Sequence, residues 1–570
     1  MTNNYYPDNF PRDKERLLID LYHYLAKKNS GNLEELNKNI RNYLKAKSEK
    51  GFFPAFWHLN LIYWRHFHKS PQPLFMKILH KNKIRSLSGI VPLSLFTRPQ
   101  KSCSFNCVYC PTQKNSPKSY FNDEAAVMRA IRNKYHPYQQ VKSRLIQFFL
   151  SGHPIDKVEI IIQGGTFSNY SKIYRKNFVK EIYRGCNLNI KQFIINKCSE
   201  PTDYIIKDFE GQKRKNEKTK SRIVGITIET RPDYIDEKEI TFLRKLGVTR
   251  VELGVQSLDN EILKINNRGH DIESVIKATK LLKDSGFKIT YHLMPGLLGS
   301  SIKKDVGMLK KVFSDERFRP DAIKLYPTQV VYHSKLYELF QKNKYRPLSE
   351  TELLKIVAKL KKDIIPPWVR INRLVRDLTK NDVAVMTFPS NFRQEITSYL
   401  KEKKINCQCI RCREIRNQKV NGKVKTNIIK YPASDGIEYF IEMIDEENKL
   451  LGFLRLRVPE YFRKRKLFFI KELNRCLLIR ELHIYGQQIP LGYRGLVQHA
   501  GLGKSLLNIA NSVAQEYKAK KIAVISGIGV RKYYRKLGYR LDGEYMVKNI
   551  SIKNIKLKIA QNQAGVDNFV

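Results

Sequence analysis

Residues 103–110 of this chain read CSFNCVYC, a run that places three thiols, Cys103, Cys107 and Cys110, close together. Thiolates at this spacing, with an aromatic residue directly before the last one, can bind three irons of a 4Fe-4S cluster and leave the fourth iron open. In radical enzymes the amino and carboxylate groups of S-adenosylmethionine fill that open position. A zinc site of three cysteines, completed by a distant histidine, is the alternative.

Around and beyond this motif, over residues 81–399, short apolar runs alternate with longer stretches of helical periodicity. Repeated strand–helix units predict an α/β domain with a parallel sheet, open or closed into a partial barrel. Ligands of such sheets bind at the carboxyl ends of the strands. Helical patterns cover residues 236–246, 272–284 and 305–313, and the predicted strands are residues 157–162, 192–196, 225–229, 250–254, 288–292 and 322–326.

A second group of thiols, Cys407, Cys409 and Cys412, lies in the sequence CQCIRC, within a Cys- and Lys-rich connector over residues 400–430. Three thiolates this close suit a tetrahedral zinc ion with one further ligand from elsewhere. Cys476 or a histidine could supply that ligand, and the sequence leaves the choice open. The chain has nine cysteines, and close thiol clusters among so few indicate metal binding in a reducing compartment rather than a disulfide framework.

The composition is strongly basic. The chain has 570 residues, with 105 Lys and Arg against 54 Asp and Glu, which gives a net charge of +51. A surplus this large indicates a polyanionic partner, most often nucleic acid, with an anionic membrane surface as the alternative. The apolar runs fall far short of the roughly 20 residues that a membrane span needs. Because the N-terminus also lacks a signal-peptide pattern, we expect a cytoplasmic chain with no membrane partner.

The N-terminal region, residues 1–80, shows helical periodicity over 16–24 and 33–44 and is rich in aromatic residues and cations. Aromatic side chains among cations can stack on unpaired bases and hold phosphates, which predicts a nucleic-acid contact. A helical cap whose aromatic residues face the core is the alternative. The basic stretch 207–222 lacks apolar periodicity and is predicted to be a solvated loop, and residues 549–570 form a basic tail. The aromatic residues concerned are Phe52, Phe53, Phe56, Trp57, Tyr63, Trp64 and Phe67.

Residues 431–548 differ from the preceding part and predict a separate α+β domain. Antiparallel strands are expected over 439–445, 450–458 and 477–484, followed by a helix over 503–517 and a strand over 521–526. Residues 498–504 read QHAGLGK and lie between a strand and that helix. Glycines there let successive backbone N–H groups face a pyrophosphate at the N-terminus of the helix.

Taken together, the cysteine motif, the strand–helix units and the strand end Gly164-Gly165-Thr166 resemble the radical S-adenosylmethionine superfamily. In that superfamily the glycine-rich strand end meets the methionine amino group, which implies that Gly164 and Gly165 bind S-adenosylmethionine. Residues 84–94, 152–167 and 225–269 further resemble the family that contains the catalytic subunit of Elongator and the stand-alone tRNA uridine(34) acetyltransferases. The short spacing of the first two cysteines is similar to the stand-alone type, which does not require accessory subunits.

The C-terminal part resembles the GNAT acetyltransferases, whose acyl-CoA loop has the Q-x-x-G-x-G pattern seen in residues 498–503. Stretches 480–486 and 522–539 resemble the Elongator subunit's own versions. The resemblance implies that Tyr534, next to Tyr533, lies near the thioester sulfur and protonates a leaving thiolate; ordinary packing is the alternative. It also implies an acetyl-CoA contact for Lys157, an acetyl-pantetheine path along Glu481, Leu482, His483 and Ile484, and a pyrophosphate site at Leu502, Gly503 and Lys504.

The resemblance as a whole implies a radical S-adenosylmethionine barrel, a small zinc connector that pins the halves together, and a GNAT domain. The expected reaction forms 5-carboxymethyluridine at the wobble position of tRNA from acetyl-CoA, and the net charge fits a tRNA partner. One alternative is a protein lysine acetyltransferase with a structural iron-sulfur cluster, although basic protein tails would be repelled by this charge. The other is a tRNA-binding scaffold that has kept its cofactor sites.

Overall fold

The computed structural model describes residues 10–28, 30–79, 89–99, 105–197, 199, 208–376, 378–379, 381–385, 392–416, 418–486 and 501–551. Several of the sequence predictions fall wholly or partly outside these ranges. They include Cys103, residues 84–88 of one stretch that carries the resemblance, residue 207 of the predicted loop, residues 498–500 of the glycine-rich loop, and residues 552–570 of the basic tail.

Three helices form the N-terminal region, and both predicted helical patterns are confirmed. In the first helix Leu18, Leu21 and Leu25 recur at helical spacing and are buried. The second helix begins where the side chain of Asn32 accepts a hydrogen bond from the Glu35 backbone N–H. The helices are α1 (Glu15–Lys28), α2 (Leu33–Ala46) and α3 (Phe56–Ile62).

The aromatic residues of this region face the protein core. Tyr63 is buried, and five of the other aromatic side chains pack partly buried against the main hydrophobic core. Trp64, for example, lies 5.1 Å from the ring of Phe149. The cap alternative therefore describes the region, and of the seven aromatic residues in question Phe53 alone is exposed.

Seven parallel strands form the first sheet, in the order of the sequence. Each strand is hydrogen-bonded to the next one along the chain, as in the partial barrel that the strand–helix pattern predicts. Five of the six predicted strands are confirmed. The strands are β1 (Val91–Phe96), β2 (Lys157–Gln163), β3 (Arg222–Thr230), β4 (Arg250–Gln256), β5 (Lys288–Leu293), β6 (Ala322–Leu325) and β7 (Arg370–Arg373).

Helices cover the outside of this sheet, and the three predicted helical patterns are confirmed. Asp236, Asp271 and Ser301 each accept a hydrogen bond from the first turn of the helix that follows, which fixes where that helix begins. The helices are α4 (Ala125–Arg132), α5 (Pro137–Leu150), α6 (Lys172–Asn187), α7 (Ile190–Ile195), α8 (Phe209–Asn216), α9 (Glu237–Leu246), α10 (Asn260–Ile265), α11 (Ile272–Asp284), α12 (Ile302–Ser314), α13 (Lys335–Gln341), α14 (Glu350–Lys359) and α15 (Phe392–Glu402).

Two local predictions in this domain are wrong. The strand predicted over residues 192–196 falls on helix α7, because Asn189 caps its first turn and Ile190, Phe193 and Ile194 share one buried face. The solvated loop predicted over residues 207–222 contains helix α8.

Helix α8 escaped prediction because its buried face is largely polar. Phe209, Gln212, Lys213 and Asn216 are all buried although only the first is apolar. Hydrogen bonds replace apolar contacts on this face: the Asn216 amide donates to Asn187 over 2.9 Å, which satisfies the buried polar atoms.

A second sheet of seven strands follows a short helix in the connector. Its spatial order is β13-β14-β12-β11-β10-β9-β8, and the pair β11–β12 is parallel while the other pairs are antiparallel. Helix α18 packs on one face, as expected for a GNAT α+β domain. The elements are α16 (Ile410–Arg413), β8 (Lys425–Ala433), β9 (Gly436–Ile444), β10 (Leu450–Val458), α17 (Glu460–Arg463), β11 (Cys476–Ile484), α18 (Leu502–Glu516), β12 (Lys521–Val524), α19 (Arg531–Arg535), β13 (Arg540–Asp542) and β14 (Tyr545–Asn549).

The two sheets share one hydrophobic core. Leu478, Ala523 and Val547 of the second sheet belong to the same apolar cluster as the barrel strands. The backbones also approach closely, since a Cβ on Gly527 would lie 2.0 Å from the carbonyl oxygen of Val224. The described strands thus form two separate sheets, but the C-terminal sheet packs directly against the barrel.

Buried ion pairs fix the orientation of the two halves. Arg480 of β11 donates to both carboxylate oxygens of Asp321, at the start of β6, and to Glu438 over 3.1 Å. Arg457 of β10 donates to Asp284 at the end of α11 over 2.7 Å. These side chains are nearly inaccessible to solvent, so each charge depends on its partner. In the described part of the chain, no helix has the length and apolar character to cross a membrane.

We expect Asp321→Asn to lower the free energy of unfolding by about 3 kcal/mol, because it leaves the buried guanidinium of Arg480 without its principal counter-charge. Urea denaturation followed by circular dichroism measures this change. The control is Asp363→Asn, which breaks the exposed pair with Lys359 and should cost less than about 1 kcal/mol. Equal losses in the two variants would contradict the role assigned to the interface.

Candidate active site

The described cysteines of the first motif lie at the carboxyl edge of the barrel. Cys107 and Cys110 line a cavity of about 470 Å³. Gln163, Thr230 and Gln256, at the carboxyl ends of β2, β3 and β4, line the same cavity. The position agrees with the expected ligand site of a parallel α/β sheet.

Gly164 and Gly165 follow β2 and also line this cavity. Their φ angles are +126° and +91°, a backbone conformation that glycine adopts without strain. A Cβ on Gly164 would lie 2.2 Å from the hydroxyl oxygen of Thr97. The strand end is therefore glycine for a steric reason, and its backbone borders the cavity.

Buried polar atoms without partners surround Cys107. The Tyr109 hydroxyl, the Arg268 Nε and the Gln256 side-chain oxygen make no hydrogen bond to any described residue. Arg268 also directs Nη1 toward the Cys107 sulfur at 3.6 Å and donates through Nη2 to the Gly254 carbonyl at 2.7 Å. Unsatisfied buried donors and acceptors are costly, so the cavity fits a polar occupant beside the cysteine sulfurs.

The cavity interior carries charged residues that sequence analysis missed. Glu229, Glu252 and His292 lie there, and Lys324 forms ion pairs with both glutamates. The His292 Nε2 lies 2.8 Å from a Glu252 oxygen, and the Tyr120 hydroxyl donates to Glu229 over 2.7 Å. Burial alone would raise the pKa of Glu252, but Lys324 and His292 hold it well below its ordinary value.

The strand sequences carry a pattern that could have predicted these charged residues of the cavity. Polar residues occupy every second position of the central strands, as in Arg250 and Glu252 of β4 or Lys288 and His292 of β5. Alternate residues of a strand share one face, so the pattern marks a polar interior. The lysine ammonium among the carboxylates argues against a divalent cation at Glu229, Glu252 and His292.

Two of the residues predicted to contact acetyl-CoA, Glu481 and Lys157, lie at the opposite, amino edge of the barrel. Glu481 of β11 comes within 3.6 Å of Arg250 and 3.8 Å of Lys288, which begin β4 and β5. Lys157 begins β2 and is therefore at the same edge. Burial would raise the pKa of Glu481, but Lys288, Arg455 and Arg250 keep it well below its ordinary value.

The predicted pyrophosphate site begins helix α18. Gly501 precedes the helix with a φ of +85°, and Leu502, Gly503 and Lys504 form its first turn. Free backbone N–H groups at such a helix start bind anions. The Tyr533 hydroxyl lies beside this turn, because a Cβ on Gly503 would come within 2.9 Å of it.

The two tyrosines of the predicted pair differ in environment. Tyr533 is 42% exposed, whereas Tyr534 is 6% exposed and belongs to the core of the second sheet. Leu482 and Ile484, from the predicted pantetheine path, pack against that same core. Burial raises the pKa of Tyr534, which keeps the phenol protonated and makes it a weaker acid than an exposed tyrosine.

Comparison with known proteins agrees with these features. Residues 97–311 match the Radical SAM superfamily, and residues 320–402 match the Radical_SAM C-terminal domain. The tRNA uridine(34) acetyltransferase of Methanocaldococcus infernus is 39% identical, over 84% of this chain and 89% of that protein. Human Elongator complex protein 3 is 35% identical, over 83% of this chain and 87% of that protein.

The chain belongs to the tRNA uridine(34) acetyltransferase family. The solved structure of the archaeal Methanocaldococcus infernus Elp3 with an N-terminus deletion (1-46) has a TM-score of 0.68 and 37% sequence identity, and the match covers 81% of this chain and 100% of that one. Membership of the radical S-adenosylmethionine superfamily implies a 4Fe-4S cluster and S-adenosylmethionine as cofactors. The unpaired polar atoms beside Cys107 fit both groups.

In this member of the tRNA uridine(34) acetyltransferase family the connector also gathers its cysteines. The sulfurs of Cys407, Cys409 and Cys412 lie within 4.8 Å of one another. The Lys361 ammonium lies 3.3 Å from the Cys412 sulfur. Cys407, Cys409 and this ammonium stabilise the Cys412 thiolate and hold its pKa well below the ordinary value.

A fourth protein ligand for this cluster is not present among the described residues. The sequence left Cys476 open as a candidate for this ligand. Cys476 begins β11, and its thiol instead donates to the Glu472 carbonyl. Three thiolates would carry more negative charge than one divalent ion neutralises, and the buried ammonium of Lys361 is placed to compensate for the excess.

If the three thiolates hold zinc, as proposed below, we expect Lys361→Met to release it to a chelator about 10- to 100-fold more readily than the unchanged chain, because the variant loses the donor to Cys412. Zinc release followed with a colorimetric chelator measures the effect. The neighbouring Lys362→Met is the control, since Lys362 is exposed. Unchanged release in the Lys361 variant would show that the ammonium does not support the metal.

Proposed function

We propose that this chain modifies C5 of the wobble uridine of tRNA, with acetyl-CoA as co-substrate, and that 5-carboxymethyluridine is the product. One observation carries the proposal: two residues of a single strand reach the two sites. Arg250 contacts Glu481 of the acetyl-CoA strand, and Glu252, two residues further along β4, lines the cysteine cavity. Residues two apart on a strand are separated by about 6.6 Å, so both sites belong to one barrel interior.

At the carboxyl edge, Cys107 and Cys110, with Cys103 from the motif, would hold the iron-sulfur cluster. Gly164 and Gly165 would admit the methionine part of S-adenosylmethionine to the strand end. When bound, these cofactors supply the one-electron chemistry that makes a carbon radical of an acetyl group.

At the amino edge, Leu502, Gly503 and Lys504 would bind the pyrophosphate of acetyl-CoA, and Lys157 a further part of it. The pantetheine arm would follow Glu481, Leu482, His483 and Ile484 of β11. Tyr534, with Tyr533 beside it, would donate a proton to the thiolate that leaves when the thioester is hydrolysed.

The net charge of +51 supports a tRNA partner, since each neutralised phosphate adds to the affinity. Arg373 and Arg376 line the cavity and bring part of this charge to the cysteines. In the N-terminal region the cations, rather than the aromatic residues, would contact tRNA. A cytoplasmic location and function without accessory subunits belong to the same proposal.

The connector would hold a zinc ion through Cys407, Cys409 and Cys412. The distances between the sulfurs support this assignment. A protein lysine acetyltransferase with a purely structural cluster is the competing function. The polar cavity beside Cys107 argues against it, because a structural cluster needs no ligand space.

We expect tRNA incubated anaerobically with the reconstituted protein, S-adenosylmethionine, reductant and acetyl-CoA to gain a carboxymethyl group on wobble uridine. Mass spectrometry of the nucleosides detects it. Cys107→Ala should abolish the product because it removes a cluster ligand, whereas Cys186→Ala, which changes a buried thiol of α6, should retain it.

Other outcomes of this experiment separate the alternatives. No adduct, with acetyl-CoA still hydrolysed when tRNA is added, would indicate a missing partner or the wrong tRNA. No adduct and no hydrolysis stimulated by tRNA would contradict the proposal and favour the lysine acetyltransferase.

We expect Tyr534→Phe to slow acetyl-CoA hydrolysis by about 100-fold, because the variant lacks the proton donor to the leaving thiolate. Thiol release measured with Ellman's reagent gives the rate. Tyr539→Phe is the matched control: its ring lies 5.6 Å from Tyr534, and its buried hydroxyl makes no hydrogen bond to a described residue. Similar rates in the two variants would exclude Tyr534 as the acid.

A further inference from the structure

A short hydrogen-bond chain joins the cysteine connector to the acetyl-CoA strand. Glu414 lies two residues after Cys412, and Arg370 is the first residue of β7. The Arg370 Nη1 donates to a Glu414 oxygen over 2.9 Å and to the Tyr485 hydroxyl over 2.8 Å. One guanidinium therefore links the connector, the barrel and the residue that follows β11.

Tyr485 anchors the carboxyl end of β11. Its backbone N–H donates to the Leu451 carbonyl over 2.7 Å, and the side chain is 7% exposed. Its ring lies 4.4 Å from that of His483 and 6.2 Å from that of Phe453. The position of the Tyr485 hydroxyl thus influences the last residues of β11, the stretch assigned above to the pantetheine arm.

The connector itself is held in place without Arg370. The backbone N–H of Ile410 donates to the Val369 carbonyl over 3.0 Å. Arg413 donates to the Pro367 carbonyl over 3.1 Å and to Glu442 over 2.7 Å. Helix α16 is therefore hydrogen-bonded to both halves of the protein. These bonds fix the position of Glu414, the residue that follows the helix.

The Arg370–Glu414 ion pair is partly shielded from solvent. The side chain of Glu414 is 12% exposed and that of Arg370 is 29% exposed. A partly buried charged pair holds its geometry better than a surface pair, and the loss of one partner leaves the other charge poorly solvated. A guanidinium also presents a rigid set of donors that a lysine cannot reproduce.

We propose that Arg370 is a positioning residue that transmits the folded state of the cysteine connector to the acetyl-CoA strand, so that metal in the connector supports acetyl-CoA binding. The proposal rests on the assignments of zinc to the connector and of acetyl-CoA to β11 made above. Arg370 acts through Glu414 and Tyr485 and has no part in the chemistry at Cys107.

Equilibrium binding of acetyl-CoA to the full chain, measured by isothermal titration calorimetry, tests the proposal. We expect Arg370→Met to raise the Kd about tenfold, in line with the loss of charge-assisted hydrogen bonds. Arg370→Lys should recover only part of the affinity. Reductive cleavage of S-adenosylmethionine, measured as 5′-deoxyadenosine formed, should be unchanged in both variants.

Arg416→Ala is the matched control. Arg416 donates to the other Glu414 oxygen over 3.0 Å, but its side chain is 57% exposed, and it also donates to the Arg411 carbonyl within the connector over 3.2 Å. We expect its Kd for acetyl-CoA to stay within about twofold of the unchanged chain. Equal effects of Arg416→Ala and Arg370→Met would overturn the proposal, because the loss of any cation paired with Glu414 would then explain both.

The metal is tested with Cys412→Ser, whose zinc content is measured by atomic emission. We expect this variant to lose zinc and to bind acetyl-CoA about as weakly as Arg370→Met, and the double variant to be no weaker than either, since both act on one pathway. Additive losses would contradict transmission through Arg370. Loss of S-adenosylmethionine cleavage in parallel with affinity would show a general structural role instead.

The unchanged chain separates this inference from the proposed function. If it binds acetyl-CoA and Arg370→Met binds equally well, the inference alone fails. If the unchanged chain does not bind acetyl-CoA, the assignment of β11 fails and the inference fails with it.

Discussion

The contact between Asp321 and Arg480 governs the arrangement of the molecule. Both side chains are almost completely buried, at 4% and 0% exposure, and Arg455 and Glu438 adjoin them. Charges removed from water destabilise a fold unless each one finds a partner of opposite sign with good geometry. The second sheet therefore packs on the barrel in the one orientation that pairs these groups, and the shared apolar core follows from that orientation.

This orientation explains why the two predicted sites face the barrel from opposite edges. The cysteines lie at the carboxyl ends of the strands, where α/β barrels bind their ligands. Glu481 instead meets Arg250 and Lys288 at the amino ends. Between the two edges the interior holds Glu252 and Lys324 rather than aliphatic residues. In this part of the interior, ion pairs take the place of an apolar filling.

How much of this could be predicted depended on the kind of signal. Helices α9, α11 and α12 and five of the seven barrel strands follow from periodicity, because apolar residues at regular spacing form one face that packs on the core. Helix α8 did not, since Gln212 and Asn216 are buried for their hydrogen bonds and not for their hydrophobicity. Strands β1 and β7 were also missed, and β7 contains a single buried apolar residue, Ile371. In the N-terminal region, composition alone could not distinguish aromatic residues that stack on nucleic-acid bases from aromatic residues that pack into the protein core.

The sequence by itself determined the local chemistry: three thiols at a spacing that suits a cluster, a glycine pair at a strand end, and a glycine-rich helix start. These signals depend on neighbours in the chain, so they are readable without a fold. Only the tertiary structure decided which distant side chains share a space. The approach of Glu229 to His292, of Lys361 to Cys412 and of Arg370 to Tyr485 arises from strand order and from the docking of two sheets, and contacts between residues far apart in the chain leave no local pattern in the sequence.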